Sequence, residues 1–306
     1  MKQAVAVSKV AAKEMDNGHR RRLFYDRCGR CFFIAAVALM TIVIFAIIFF
    51  VGKQGLQTFA VVSPLEFFFS GQWDPLAGKY GALFFILGSF WSTLLAILIG
   101  APVGLMGAIF MAKVAPKGLQ AVMRPAIDIY AAIPSVVYGY TGLVVLVPFL
   151  RETFGSATGF GVLAAALVLS LMVLPTIIAI SMDAIQVVEP SMEEASLALG
   201  ATWWQTVWHV VLPAAAPGIL TAVVLAMARA IGETMAVQML IGNTPQLITS
   251  LFTPTATLTS NIVVEMGNTP FGSVWGNALF LMAFVLLLLS LAMMLLVRRI
   301  GKRRVA

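Results

Sequence analysis

EPSMEEASLALGATWWQTVWHVVLP, residues 189–213, is a polar island between two long apolar runs, and the side of the membrane on which it falls decides the fold. From Asp183 to Pro213 there is no Lys or Arg, while Asp183, Glu189, Glu193 and Glu194 carry negative charge. A helix resting on an anionic bilayer surface normally presents Lys and Arg. An acidic segment holding Trp203, Trp204 and Trp208 therefore fits a protein partner better than lipid. Pro190, then Ser191 with Glu194 three residues on, predicts a capping box for a helix over about 192–199 that Gly200 ends. A second short helix is expected from about Thr202 to Leu212, with Pro213 closing a turn into the next apolar run.

On both sides of the island the chain is strongly apolar. Of 306 residues, 60% are hydrophobic and 11% charged, and the mean hydropathy is +0.97, which excludes two soluble domains and indicates an integral membrane protein. Six runs are long enough to span: 32–51, 82–112, 128–150, 161–182, 214–241 and 276–297. In hydrocarbon every backbone polar group needs an internal partner, so about 20 apolar residues imply a helix. The second and fifth runs are longer, which predicts tilt or a break near Pro102 and Pro217.

Basic residues set the direction. Eight precede the first run, Lys113, Lys117 and Arg124 lie between the second and third, and Arg298, Arg299, Lys302, Arg303 and Arg304 follow the sixth. The alternate loops hold Lys53, Lys79 and Arg151 alone. This asymmetry puts both termini in the cytoplasm, consistent with six crossings, and places residues 183–213 there too. No small-x-small cleavage signal ends the first run, so it reads as a retained anchor. The basic arm reads as a topology determinant touching anionic lipid, with no nucleic-acid role. Cys28 and Cys31, even with His19, do not complete a tetrahedral metal site, and the two thiols read as inert.

With spacing and side in place, the island resembles the EAA loop of ATP-binding-cassette importer permeases. Glu194-Ala195-Ser196, three residues, Gly200, nine residues and Val210-Val211-Leu212-Pro213 match that pattern, with Ser196 and Val210 as mild departures. The resemblance implies an all-α membrane protein of type I importer (MetI-like) architecture. Its coupling loop, 190–213, would dock on a cytoplasmic ATPase through Glu194, Ala195, Gly200, Leu212 and Pro213. The expected organisation is a basic arm (1–31), a first span with its outer loop (32–81), a transmembrane domain (82–297) and a basic tail (298–306). No Gly-x-x-x-x-Gly-Lys-Ser/Thr loop is present, so ATP and Mg are expected on the partner and no cofactor on this chain.

Further segments narrow the resemblance. Trp73-Asp74-Pro75 with Tyr80-Gly81-Ala82-Leu83, the run Ala131-Ala132-Ile133-Pro134-Ser135-Val136-Val137-Tyr138-Gly139, and Arg229-Ala230-Ile231-Gly232-Glu233-Thr234-Met235-Ala236-Val237 followed by Ile241-Gly242-Asn243-Thr244 are similar to the PstC-type permeases of phosphate importers. That implies a sister PstA-type permease, two PstB-type ATPases and a PstS-type binding protein delivering the anion to short outer loops in the inner membrane.

Arg229 and Glu233 have a physical reading of their own. A charged residue central to an apolar helix costs about 2.5–3.5 kcal/mol on insertion scales and usually faces a cavity or a partner. Four residues apart, the two are expected on one helix face, able to pair. The guanidinium fork suits phosphate oxygens in a way Lys does not, so Arg229 is expected to contact the anion and Glu233 to hold or release it. A structural ion pair is the competing reading. Thr234, and Ser135 and Tyr138 beyond a helix break at Pro134, are weaker path candidates for which local packing weighs more. Gly100, Gly104 and Gly107, and Gly139 with Gly142, form small faces for close helix packing, Arg124 with Asp128 reads as a surface pair, and the 16 Met are filler. Competing functions are a permease for sulfate or molybdate, a proton-coupled carrier using Glu233, and an intramembrane hydrolase. No inverted repeat is evident for the carrier, and neither His19 nor His209 lies within a span to serve the hydrolase.

Overall fold

The computed structural model describes the backbone of residues 2–270 and 272–305 and the side chains of 29–270 and 272–299. Most of the basic arm's side chains, including His19 and Cys28, and those of Lys302, Arg303 and Arg304 lie outside the described residues. Two compact units divide the chain, Met1–Lys53 and Gln54–Ala306. The first is the greater part of α1 (Lys2–Leu56). Its large apolar side chains from Phe32 to Phe50 are all exposed, and Gly29–Ala60 is long and apolar enough to cross a membrane. Cys31 is a free, exposed thiol.

The second unit opens with α2 (Pro64–Phe69) and a two-residue hairpin, β1 (Trp73–Asp74) on β2 (Lys79–Tyr80), antiparallel with Trp73 opposite Tyr80. The bundle follows: α3 (Leu83–Ile109), α4 (Lys117–Ala132), α5 (Ser135–Thr141), α6 (Val147–Phe154) and α7 (Val162–Gln186). The island forms α8 (Pro190–Ala198) and α9 (Trp203–Thr206), and α10 (Leu212–Ile231), α11 (Met235–Leu240), α12 (Leu258–Met266) and α13 (Val274–Val305) complete the chain. Among the described residues five helices are long and apolar enough to cross a membrane, and α4 with α5–α6, bent by 86°, passes the same test as a pair, the form of a broken span or a re-entrant loop.

Small residues let the spans approach. A Cβ added at Gly100, Gly104 or Gly107 would press on Val173, Ile177 or Ile178 respectively, so the glycine face of α3 is filled by α7 of the same chain. The same Val173 and Ile177 also meet Ala226 and Ala230 of α10, with Ile97 and Ala101 of α3 packed alongside, in an apolar cluster shared by the three helices. Away from the island, the Trp73 and Trp275 indoles each donate to one oxygen of Glu265, at 2.7 and 2.6 Å, clamping the hairpin, α12 and α13 together.

Four expectations are corrected. The third apolar run, from 128, is not one unbroken helix: residues up to Ala132 belong to α4, and Pro134, which has no N–H to give a helix, forces Ile133 into extended geometry and turns the chain. Pro102 and Pro217 break nothing, because α3 and α10 run straight through both. Span five is instead interrupted at Gly232–Thr234. The capping box is not at Ser191 and Glu194, because Pro190 takes the first helical position; the box forms at Thr202 and Gln205, opening α9. Nor does Pro213 close a turn, since Trp203–Ile231 is one continuous 29-residue helix. A π turn at Val207–Val211 widens it two residues before Pro213, and another at Gly142–Leu146 does so before Pro148. Each contains the carbonyl four residues back with which the proline ring would clash.

Candidate functional site

The break in span five sets one end of α10 against the start of α11. Arg229 lies in the last turn of α10, half-buried. Glu233 falls beyond the helix end, so the expected four-residue helical spacing to Arg229 does not apply. Among the described residues the ion pairs are Lys113–Glu193, Arg124–Asp183 and Arg151–Glu152, and neither Arg229 nor Glu233 joins one. The Glu233 carboxylate accepts from the Ala236 N–H at 3.4 Å in the first turn of α11. Thr234 is half-buried beside it and donates to the Gly232 carbonyl at 3.3 Å.

Residues not singled out in the sequence hold this break in place. Thr259 donates to the Glu233 carbonyl at 3.2 Å and shares a hydroxyl contact of 3.0 Å with Thr257, which closes a capping box with Ser260 at the start of α12. Ser89 of α3 accepts from the Leu258 N–H at 2.9 Å. Ser89, Thr257, Thr259 and Ser260 are all buried, so their hydroxyls serve the scaffold. The one signal available in the sequence was the density of hydroxyls from Thr255 to Ser260, which does not say what they hold.

The elbow of the third crossing lies against the break. Gly139 of α5 lies so close to α11 that an added Cβ would sit 2.8 Å from the Ala236 Cα. Half-buried Ser135 stands in the first turn of α5. The Tyr138 hydroxyl donates to the Tyr130 carbonyl at 2.8 Å with the two rings edge to face, so Tyr138 locks the bend between α4 and α5. The packing of α5 on α11 thus sets the elbow that carries Ser135 and Tyr138 against the break that carries Glu233 and Thr234, with Arg229 just before it at the end of α10. What results is an interrupted helix in apolar surroundings with one uncommitted guanidinium, short helix starts and hydroxyls, an arrangement able to receive an anion.

At the island, Glu194, Ala195, Gly200 and Pro213 are exposed. Leu212 is not: at 9% exposure it packs with Met182, Ile185 and Val211, so it secures the foot of span five and presents nothing to a partner. Gly200 has φ +87° between α8 and α9, a left-handed geometry that a side chain resists. The Ser196 and Thr206 hydroxyls meet at 2.9 Å across the turn. Arg124 pairs with Asp183 of α7 and not with Asp128.

Residues 104–305 match the family model described as binding-protein-dependent transport system inner membrane component. The chain is 49% identical over 280 residues to the probable ABC transporter permease protein YqgH of Bacillus subtilis, covering 90% of this chain and 91% of that one. It is 36% identical over 266 residues to the phosphate transport system permease protein PstC of Xylella fastidiosa, covering 81% and 80%. Among solved structures, it resembles a chain of a bacterial alginate ABC transporter with TM-score 0.59 at 19% identity, covering 90% and 95%. A chain of the MetNI methionine ABC transporter gives 0.53 at 21%, covering 76% and 98%. These two likenesses speak to the fold.

Proposed function

The chain belongs to the binding-protein-dependent inner membrane components, among the PstC phosphate permeases, and from that premise we propose that phosphate crosses the membrane past the span-five break with Arg229 as its principal contact. The protein is a multi-pass permease subunit of an ABC phosphate importer in the cytoplasmic membrane. It works within a complex with ATPase and binding-protein components. The finer composition proposed is one PstA-type sister permease, two PstB-type ATPases carrying ATP and Mg, and a PstS-type binding protein, with no cofactor on this chain.

One observation carries the path assignment: a half-buried guanidinium in the last turn of a membrane helix, in no ion pair among the described residues, beside a break that ends one helix and starts another. A membrane cation without a protein partner has a reason to persist if a mobile anion supplies the missing charge. Glu233, held by α11 and close in sequence, would hold or release the anion as the gate moves, and Thr234 and Ser135 would offer hydroxyls along the way. Glu194, Ala195, Gly200 and Pro213 would face the ATPase.

The test is accumulation of radiolabelled phosphate by vesicles holding the complete complex, with ATP inside and binding protein outside. Uptake that needs the ATPase and survives collapse of the proton gradient supports the reading. Sulfate or molybdate accumulating in preference to phosphate would reassign the substrate, and uptake driven by the gradient alone would make the chain a secondary carrier.

A further inference from the structure

The coupling helix α8 is fastened to the membrane bundle by very little. It buries no residue of its own. Among the described residues, its side-chain polar links to other elements are the Ser196–Thr206 hydroxyl contact, which runs to α9 at the foot of span five, and the Glu193–Lys113 ion pair. The second reaches a different span. Lys113 sits in the π turn Phe110–Val114 that ends span two, where a cation also complements the exposed carbonyls of the helix terminus. The pair is shielded, with 15% of the Lys113 and 24% of the Glu193 side chain exposed, against 53% and 59% for Arg124 and Asp183. An ion pair withdrawn from water holds its geometry where an exposed one exchanges with solvent.

We propose that Lys113 and Glu193 are positioning residues that tie the coupling helix to span two, so that movement of α8 on its partner is delivered to α3 through this ion pair. From α3 the physical route is continuous. Its glycine face is packed on α7, the Tyr130 hydroxyl of α4 donates to the Leu171 carbonyl of α7 at 3.3 Å, and α4 leads into the elbow that Tyr130 and Tyr138 lock. Without the Lys113–Glu193 tie, α8 would act on the bundle only through the short chain that joins it to α7 and through Thr206 at the foot of span five, and span two would receive no direct pull. This inference rests on the importer reading above and adds the path by which ATP-driven movement enters the bundle.

The experiment is a charge swap in the complete reconstituted complex: Lys113→Glu, Glu193→Lys and the double variant, each measured for ATPase co-purification, ATP turnover and phosphate accumulated per ATP. Each single reversal replaces attraction by repulsion and is expected to lower phosphate per ATP by about five- to thirtyfold while ATP turnover continues. The double variant restores the pair in reverse and is expected to return to within about twofold of wild type, since a pairwise interaction is recovered when both partners change. Should a reversal prevent assembly, Glu193→Gln keeps the shape without the charge and must still lower phosphate per ATP. Single variants that transport as wild type overturn the tie, as does a double variant no better than the singles. A purely structural pair would lower the melting temperature and complex yield while leaving phosphate per ATP unchanged. The substrate assignment fails separately: a wild-type complex whose ATP turnover responds to binding protein but which accumulates no phosphate would sink that reading, and the swap would then be scored on the stimulated turnover.

Discussion

Arg229→Gln separates the two physical accounts of the membrane guanidinium. In the path account Arg229 offers its fork to a phosphate, two charge-assisted hydrogen bonds of about 1.5–3 kcal/mol each. Because the residue is half-buried, the lower end applies. Losing both then costs about 3 kcal/mol, about a hundredfold in uptake, since about 1.4 kcal/mol is a factor of ten. Stability should move the other way, because a Gln in hydrocarbon is less costly than an Arg, for which insertion scales give about 2.5–3.5 kcal/mol. Glu233 is not left stranded, because it already accepts from the Ala236 N–H. In the structural account, removing one member of a buried pair would strand the other and destabilise the chain by about 3–5 kcal/mol. The assay pairs initial phosphate uptake in vesicles with the melting temperature of the detergent-solubilised complex. Lost uptake with unchanged or raised melting temperature supports the path; Arg229→Lys, which keeps the charge without the fork, should recover part of it. Uptake within about twofold of wild type in Arg229→Gln would refute the reasoning outright.

Glu233→Gln keeps an oxygen for the Ala236 N–H, so the melting temperature should hardly change while uptake falls about tenfold if the charge governs release; equal uptake would remove Glu233 from the path. Gly200→Ala places a Cβ in open space but at φ +87°, a purely backbone cost of about 1–2 kcal/mol, and should weaken ATPase co-purification, with Gly200→Asn milder. Glu265→Leu leaves two indole N–H groups unpaired, about 1–3 kcal/mol each, and should lower the melting temperature while sparing ATPase binding at the opposite end.

The crossings were legible because hydrocarbon allows few alternatives: a long apolar run has to satisfy its own backbone, and that requirement is visible without neighbours. Boundaries within runs were not. Ile129, Tyr130 and Ala131 are apolar enough to extend the third run leftward, but they belong to α4, an amphipathic helix that buries none of its residues. Gly232 was the local clue to the break in span five, and it was outweighed by the apolar residues on both sides. Ser191 and Glu194 satisfied a capping pattern that Pro190 pre-empted, and the same logic eleven residues on, at Thr202 and Gln205, went unread. At the candidate site, Arg229 was visible as a costly charge, whereas its lack of a pair depended on where α10 ends. Lys113 and Glu193 lie 80 residues apart, and no periodicity links them.

The wide turn at Val207–Val211 fixes the compass bearing of everything above it. An α-helix advances about 100° per residue, so the surplus residue that the turn absorbs resets the angular phase of α10 before the helix reaches Arg229. Removing that surplus would leave a helix just as apolar and just as able to insert, but with its lone cation swung about a quarter-turn from its present bearing. The aim of the charge is therefore set some twenty residues upstream of it, by a spacer that no inspection of residue types would mark as part of the site.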